Sequence, residues 1–255
     1  MVKNKIRKSL LDQGQLLSDK FLLKTSSKIQ KSTVKEIDIE SSKNTLLYSP
    51  YKTEVKLNLV INEIKSNSNN IYLPKIFPNK ELRFNLLSDN SILVKNKYGI
   101  NEIDNNEGYI GLERFNTIFI PFVGVDKNGF RIGYGGGYFD RALEKIKLCV
   151  SKPLVVGMGY DYQILDTSYG ESHDMKYDIV ITESRILSYK WAIKYASYIR
   201  MNKSYNYFFL FFSLFINAES IVIDANLDEP EWDTAITINQ YSEVIPFTLQ
   251  PAEER

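Results

Sequence analysis

The sequence predicts an α/β fold: a three-layer, open, mostly parallel sheet with helices on both faces, Rossmann-like, followed by an unrelated C-terminal tail. Three observations predict it. Short apolar runs at 44–48, 71–74, 115–120, 153–158 and 178–183 alternate with helical segments, the pattern of strands joined by crossover helices. A glycine-rich stretch at 129–141 follows one of these runs and opens a helix, so ligands are expected at strand C-terminal ends. The charge balance also reverses near residue 200: residues 1–200 hold 30 basic and 22 acidic side chains, net +8, whereas 201–255 hold 2 and 9, net −7.

Taken in order, 1–11 reads as a short basic helix with Ile6 and Leu10 on one face and Lys3 and Arg7, four apart, on another. By spacing alone those two cations make a solvated face. A second helix runs over 18–37 with Ser18 as N-cap. The apolar run 44–48 is a buried strand that stops at Ser49 and Pro50. Thr53 is expected to cap the next helix, with Val55, Leu59 and Ile64 as its apolar stripe. Glu54 then sits in the first turn, where a carboxylate complements the helix dipole. Residues 71–74 form another strand, with Lys75 at its end. Segments 81–87 and 91–95 read as a hairpin whose apolar face carries Leu82, Phe84 and Leu86. Residues 97–102 form a turn and 105–111 a polar loop.

The strand at 115–120 delivers the most informative stretch. Gly133, Gly135, Gly136 and Gly137 fall within five residues, between Arg131 and Arg141, with Asp140 close behind. Glycines allow positive φ and close backbone approach. Successive bare N–H groups form an anion-binding concavity, to which a helix starting near Tyr138 adds its positive end. Arg131 offers a guanidinium to a phosphate oxygen, and Asp140 suits a hard cation such as Mg²⁺. The stretch reads as a polyphosphate cradle, although it lacks the endings of a P-loop or a dinucleotide fingerprint. A helix over 138–148, strands at 153–158 and 178–183, and an amphipathic helix over 191–199 complete the domain. Between those last two strands lie Gln163, His173 and Asp174.

Composition narrows the function. A moderately basic first part suits small polyanions, and no long basic run favours nucleic acid. Cys149 is the only cysteine, which rules out an internal disulfide and fits a reducing, cytoplasmic compartment. His173 is the only histidine, so a site of several histidines is impossible. No apolar stretch reaches the length of a membrane span.

The segments 120–126, Ile-Pro-Phe-Val-Gly-Val-Asp, and 129–141, Gly-Phe-Arg-Ile-Gly-Tyr-Gly-Gly-Gly-Tyr-Phe-Asp-Arg, closely resemble the signature of the 5-formyltetrahydrofolate cyclo-ligase family. The resemblance covers about residues 1–190. It implies ATP- and Mg²⁺-dependent cyclisation of 5-formyltetrahydrofolate to 5,10-methenyltetrahydrofolate by a monomer that binds only small molecules. It further implies that Lys3 and Arg7 bind ATP phosphates, with Lys5 as the competing lysine. Arg131, Ile132, Gly133, Tyr134, Gly135, Gly136, Gly137, Tyr138 and Phe139 would complete the ATP site. Ser49 and Glu54, with the 134–138 segment, would position the folate, the carboxylate facing the pterin ring. Asp140 and Asp174 would hold Mg²⁺, and Arg131 and Tyr138 would act at the reacting groups. Phe139 departs from the family's second tyrosine, and the turn at 97–102 lacks the family's proline. Two rival readings are a kinase of another small acceptor using the same cradle, and a sugar- or surface-binding protein acting through its C-terminus.

The tail reads differently. Met201 opens a basic n-region, a ten-residue apolar run at 207–216 and a small-residue site, the pattern of a secretory signal peptide over 201–219. Residues 223–235 resemble the opening of family-nine-type carbohydrate-binding β-sandwiches. The expectation is a domain over 1–200 joined to the truncated start of a secreted protein, with 220–255 too short for a whole sandwich.

Overall fold

Strand-forming segments buried on both faces pair into one seven-stranded sheet, and its side chains split into two apolar layers. The computed structural model describes residues 2–104, 108–148, 151–171, 174–189, 242–245 and 248–251. The chain divides into two compact units, Met1–Asn202 and Lys203–Arg255.

In the first unit α1 spans Val2–Gln15 and α2 Asp19–Glu36, where the Ser18 hydroxyl caps the helix by accepting the Phe21 N–H at 3.2 Å. Then come β1 (Asn44–Leu46), α3 (Asn58–Ser66), β2 (Asn70–Ile76), β3 (Leu82–Leu86), β4 (Leu93–Lys95) and β5 (Asn101–Ile103). These are followed by β6 (Thr117–Ile120), β7 (Gly124–Val125), β8 (Arg131–Ile132), α4 (Tyr138–Leu143), β9 (Leu154–Met158), β10 (Ile179–Ile181) and β11 (Ile186–Ser188). The sheet order is β11-β10-β9-β6-β1-β2-β3. The central neighbours are parallel, and only the edges β3 and β11 are antiparallel. The parallel strands therefore follow the doubly wound 2-1-3-4-5 order, whose switch point lies between β1 and β6.

The period of two in each strand sorts the core. Leu47, Phe119, Val156 and Ile179 face the layer that holds Ile29 of α2 with Val60 and Ile64 of α3. Leu46, Ile118, Ile120, Val155 and Val180 face the other layer, with Leu143 of α4 and Phe115.

Several expectations are corrected. Thr53 does not cap a helix: α3 begins at Asn58, and Glu54 lies in the turn before it. Val60 and Ile64 make the buried stripe, whereas Leu59 is exposed. The 81–87 segment pairs with β2 rather than with 91–95, which instead joins β5 in a separate hairpin. β2 and β3 are also neighbours in sequence, joined through 77–81, and in that pairing β3 extends the main sheet. On α1, Lys3, Ile6, Arg7 and Leu10 share one inward face, while Lys5 is exposed. His173, Cys149, part of the 105–111 loop, the helix expected over 191–199 and the signal-like segment lie outside the described residues. In the second unit, β12 (Ser242–Ile245) and β13 (Thr248–Pro251) form an antiparallel pair.

Candidate active site

At the switch point the chain leaves β1 through Tyr48 and Ser49, and leaves β6 through Pro121 to reach β8 and the glycine loop. These segments, with the end of β2 and the β4–β5 hairpin, enclose a cavity of about 410 Å³. Its lining includes six aromatic side chains: Tyr48, Tyr51, Tyr98, Tyr134, Tyr138 and Phe139. A mostly apolar cleft with a few aimed polar groups is the general form of a small-molecule site.

One wall is the turn at 51–54. The Glu54 N–H donates to the Tyr51 carbonyl at 3.0 Å, and the Tyr51 N–H returns a bond to Glu54 Oε2 at 2.8 Å. The Tyr134 ring also lines the cavity, edge-on to that of Tyr51 with the ring centres 6.0 Å apart. Burial raises the Glu54 pKa to about 7, against the opposing pull of the Tyr51 N–H and the charge of Arg131.

The opposite wall is the glycine loop. Gly135 and Gly137 take φ of +91° and +71°, and Gly137 is the left-handed residue from which α4 starts. Behind the loop, Arg7 Nε donates to the Gly133 carbonyl at 2.6 Å, and its guanidinium carbon would lie 3.4 Å from a Cβ at Gly135. Arg131 forms the floor. It is 8% exposed, donates through Nε to the Pro121 carbonyl at 2.8 Å, and holds both Asp140 oxygens through Nη1 at 3.2 and 3.3 Å. Its guanidinium also lies 5.4 Å from the centre of the Phe139 ring, so phenylalanine serves as the floor's aromatic partner without a hydroxyl.

Outside the cavity lining, Lys3 pairs with Asp174. Lys3 Nζ contacts Asp174 Oδ2 at 2.6 Å and Glu171 at 3.0 Å. Burial works against the Lys3 charge, but these two carboxylates hold its pKa above the ordinary value. Asp140 and Asp174 are thus paired with different cations, Arg131 and Lys3. Among the described residues no cluster of three or more His, Cys, Asp or Glu side chains forms a metal cage. Carboxylate oxygen is the donor type Mg²⁺ takes; Asp140 and Asp174 are each engaged by a cation, and neither lines the cavity.

Ser49, Glu54, Arg131, Tyr134, Gly135, Gly136, Gly137, Tyr138 and Phe139 all line the cavity. Ile132 is buried in β8, beneath it. Lys75 turns away and donates to the Asp104 carbonyl at 2.6 Å. Gln163 is structural: its amide donates to the Phe122 and Val123 carbonyls. Sequence reasoning missed Tyr51, Asn96 and Tyr98, whose hydroxyl lies 3.1 Å from that of Tyr138 across the mouth. The signals available were the 49–55 segment for Tyr51 and the 97–102 turn for Tyr98.

A cavity of this kind, at the switch point of a doubly wound sheet and walled by a glycine loop over a cationic floor, is that of an enzyme acting on small molecules. The chain belongs to the 5-formyltetrahydrofolate cyclo-ligase family, whose family model matches residues 1–183. The 5-formyltetrahydrofolate cyclo-ligase of Haemophilus influenzae is 29% identical over 150 residues, covering 57% of this chain and 79% of that protein. The enzyme of the same name from Mus musculus is 27% identical over 192 residues, covering 71% and 93%. Among solved structures, the 5,10-methenyltetrahydrofolate synthetase of Aquifex aeolicus superposes with a TM-score of 0.65 at 27% identity, covering 74% of this chain and 94% of that one.

Proposed function

We propose that residues 1–200 form a cytoplasmic, monomeric domain that cyclises 5-formyltetrahydrofolate to 5,10-methenyltetrahydrofolate at the expense of ATP. The observation that supports this most directly is the cavity itself. In a chain of this family, a half-buried carboxylate, Glu54, faces a glycine loop across an aromatic-walled space of about 410 Å³.

The chemistry needs two problems solved: a formamide carbonyl is a poor electrophile, and its oxygen is a poor leaving group. Transfer of the γ-phosphoryl group from ATP to the formyl oxygen releases ADP and makes that oxygen part of a phosphate ester. N10 then attacks the formyl carbon, loses its proton, and the C–O bond breaks to release phosphate. The chain's work is alignment and charge neutralisation. Glu54 accepts pterin N–H donors, and Ser49 and the 134–138 segment orient the folate. Lys3, Arg7 and the loop amides hold ATP phosphates. Arg131 neutralises charge from the floor, and Tyr138 donates at the mouth. Asp140 and Asp174 would hold the Mg²⁺ accompanying ATP, which neutralises phosphate charge when bound.

The test is the absorbance of the methenyl product with purified protein, Mg²⁺-ATP and 5-formyltetrahydrofolate, beside Arg131→Ala. An ATP-dependent rise that the variant loses supports the reading. No rise from folded protein sinks it.

A further inference from the structure

The β4–β5 hairpin is folded around a buried carboxylate that the reaction as described does not use. Every residue of β4 is exposed, whereas Glu102 of β5 is 6% exposed and lines the cavity. Glu102 Oε1 accepts the N–H of Ile76, the last residue of β2, at 2.9 Å and the Asn96 side-chain amide at 2.7 Å. The Asn96 Oδ1 in turn accepts the N–H groups of Tyr98 at 2.9 Å and Ile100 at 3.1 Å. Gly99, at φ +77°, lets the chain reverse there and donates to the Asn96 carbonyl at 2.9 Å. The tip is thus shaped by Asn96 and fixed to the end of β2, and it presents Tyr98 to the glycine loop. The Tyr98 and Tyr138 hydroxyls lie 3.1 Å apart, and their rings meet edge-on with centres 6.1 Å apart. Tyr138 is the first residue of α4, directly after left-handed Gly137.

We propose that Tyr98 is a positioning residue whose hydroxyl donates to that of Tyr138 and so directs the Tyr138 proton at the reacting groups. This rests on the cyclo-ligase reading of the cavity, in which Tyr138 donates at the mouth. Either hydroxyl can be the donor of this pair. With Tyr98 donating, the Tyr138 oxygen has its acceptor role filled, and its own O–H is left for an oxygen of the substrate. Hydrogen bonds in such a chain polarise one another, so the second O–H is the stronger donor. Without Tyr98, the direction of the Tyr138 O–H is set by water instead of by the anchored hairpin. The gain is realised where negative charge develops, so it belongs to the transition state more than to substrate binding.

The test is a double-mutant cycle on the full chain, read as initial rates of methenyl formation with Mg²⁺-ATP and 5-formyltetrahydrofolate. Tyr98→Phe keeps the edge-on ring and removes only the hydroxyl. It is expected to lower kcat about 5-fold, the typical worth of one hydrogen bond, while both KM values stay within about 2-fold of the wild type. The melting temperature is expected to stay at the wild-type value. In a Tyr138→Phe background the same change is expected to cause no further fall, because the group through which Tyr98 acts is gone. Equal losses in both backgrounds overturn the proposal, since Tyr98 then acts independently of Tyr138. A Tyr98→Phe protein with wild-type kcat, or one changed in KM alone, also overturns it. A wild type that forms no methenyl product overturns the cyclo-ligase reading, and this proposal with it.

Discussion

The Asp126 carboxylate accepts the backbone N–H of Gly170 at 2.8 Å, joining residues 44 positions apart. The same Oδ2 takes the Tyr169 N–H at 2.8 Å, while Oδ1 takes those of Asn128 and Phe130 at 2.9 Å. One fully buried carboxylate thus fastens the β7–β8 hairpin, which delivers the glycine loop, to the loop that carries Glu171 and Asp174. Lys3 grips that second loop in turn.

Asp126→Asn replaces an acceptor-only group by one that must turn an NH₂ toward backbone donors. The expected loss is about 2–3 kcal/mol of stability, a fall of roughly 5–10 °C in melting temperature. Burial opposes the Asp126 charge, but the four N–H groups win and lower its pKa. The stability it contributes is therefore present above the ordinary aspartate pKa and lost as pH falls through the lower folded value. Melts of both proteins should converge in that acidic window, and a gap that persists there would contradict this account.

Glu54 has the opposite sign. Its folded pKa, about 7, lies above its ordinary value of 4.5. The contribution is fully present below the ordinary value and lost as pH rises through about 7. Glu54→Gln cannot ionise, so it should gain stability relative to the wild type between pH 5 and pH 8. Its KM for 5-formyltetrahydrofolate should rise by about 10-fold or more, the effect of one charge-assisted hydrogen bond. Thermal melts at the two pH values and initial rates check the two halves separately.

Arg131→Lys keeps the charge but loses the planar fork that serves Pro121 and Asp140 together. Disrupting this half-buried pair together with the Pro121 bond costs on the order of 1–3 kcal/mol. Turnover, followed by methenyl absorbance, should fall by about 100-fold or more, with a lower melting temperature. A lysine variant of near wild-type rate would show that charge alone suffices at the floor.

Truncation after Asn202 should leave turnover and the melting temperature of the first unit unchanged, if 203–255 is foreign to catalysis. A substantial loss of either would assign the tail to the enzyme.

Much of the fold was legible because the strands are buried on both faces and the helices on one. Such constraints write apolar runs and helical periods into sequence, as in Thr-Ile-Phe-Ile of β6, a continuous run in which every residue is buried. The Ser18 cap was legible for a similar local reason. The 51–54 turn was not: Thr53 and Glu54 resemble a helix start, yet Glu54 bonds back to Tyr51. The β2–β3 pairing was hidden because a short apolar strand does not state its partner. Tyr51 and Tyr98 left almost no trace, since an aromatic side chain reads alike in a core and in a cavity wall.

By itself the sequence determined the alternating α/β order, the glycine loop and the family, because these reside in local periodicity and in a contiguous string of residues. Tertiary structure alone decided that Asp140 and Asp174 pair with different cations, that Asp126 ties the two site loops together, and that the Tyr134 ring meets that of Tyr51. Apart from Arg131 with Asp140, nine positions apart, those relationships join segments dozens of residues apart, which sheet order and register, set by the packing of two apolar layers, bring together.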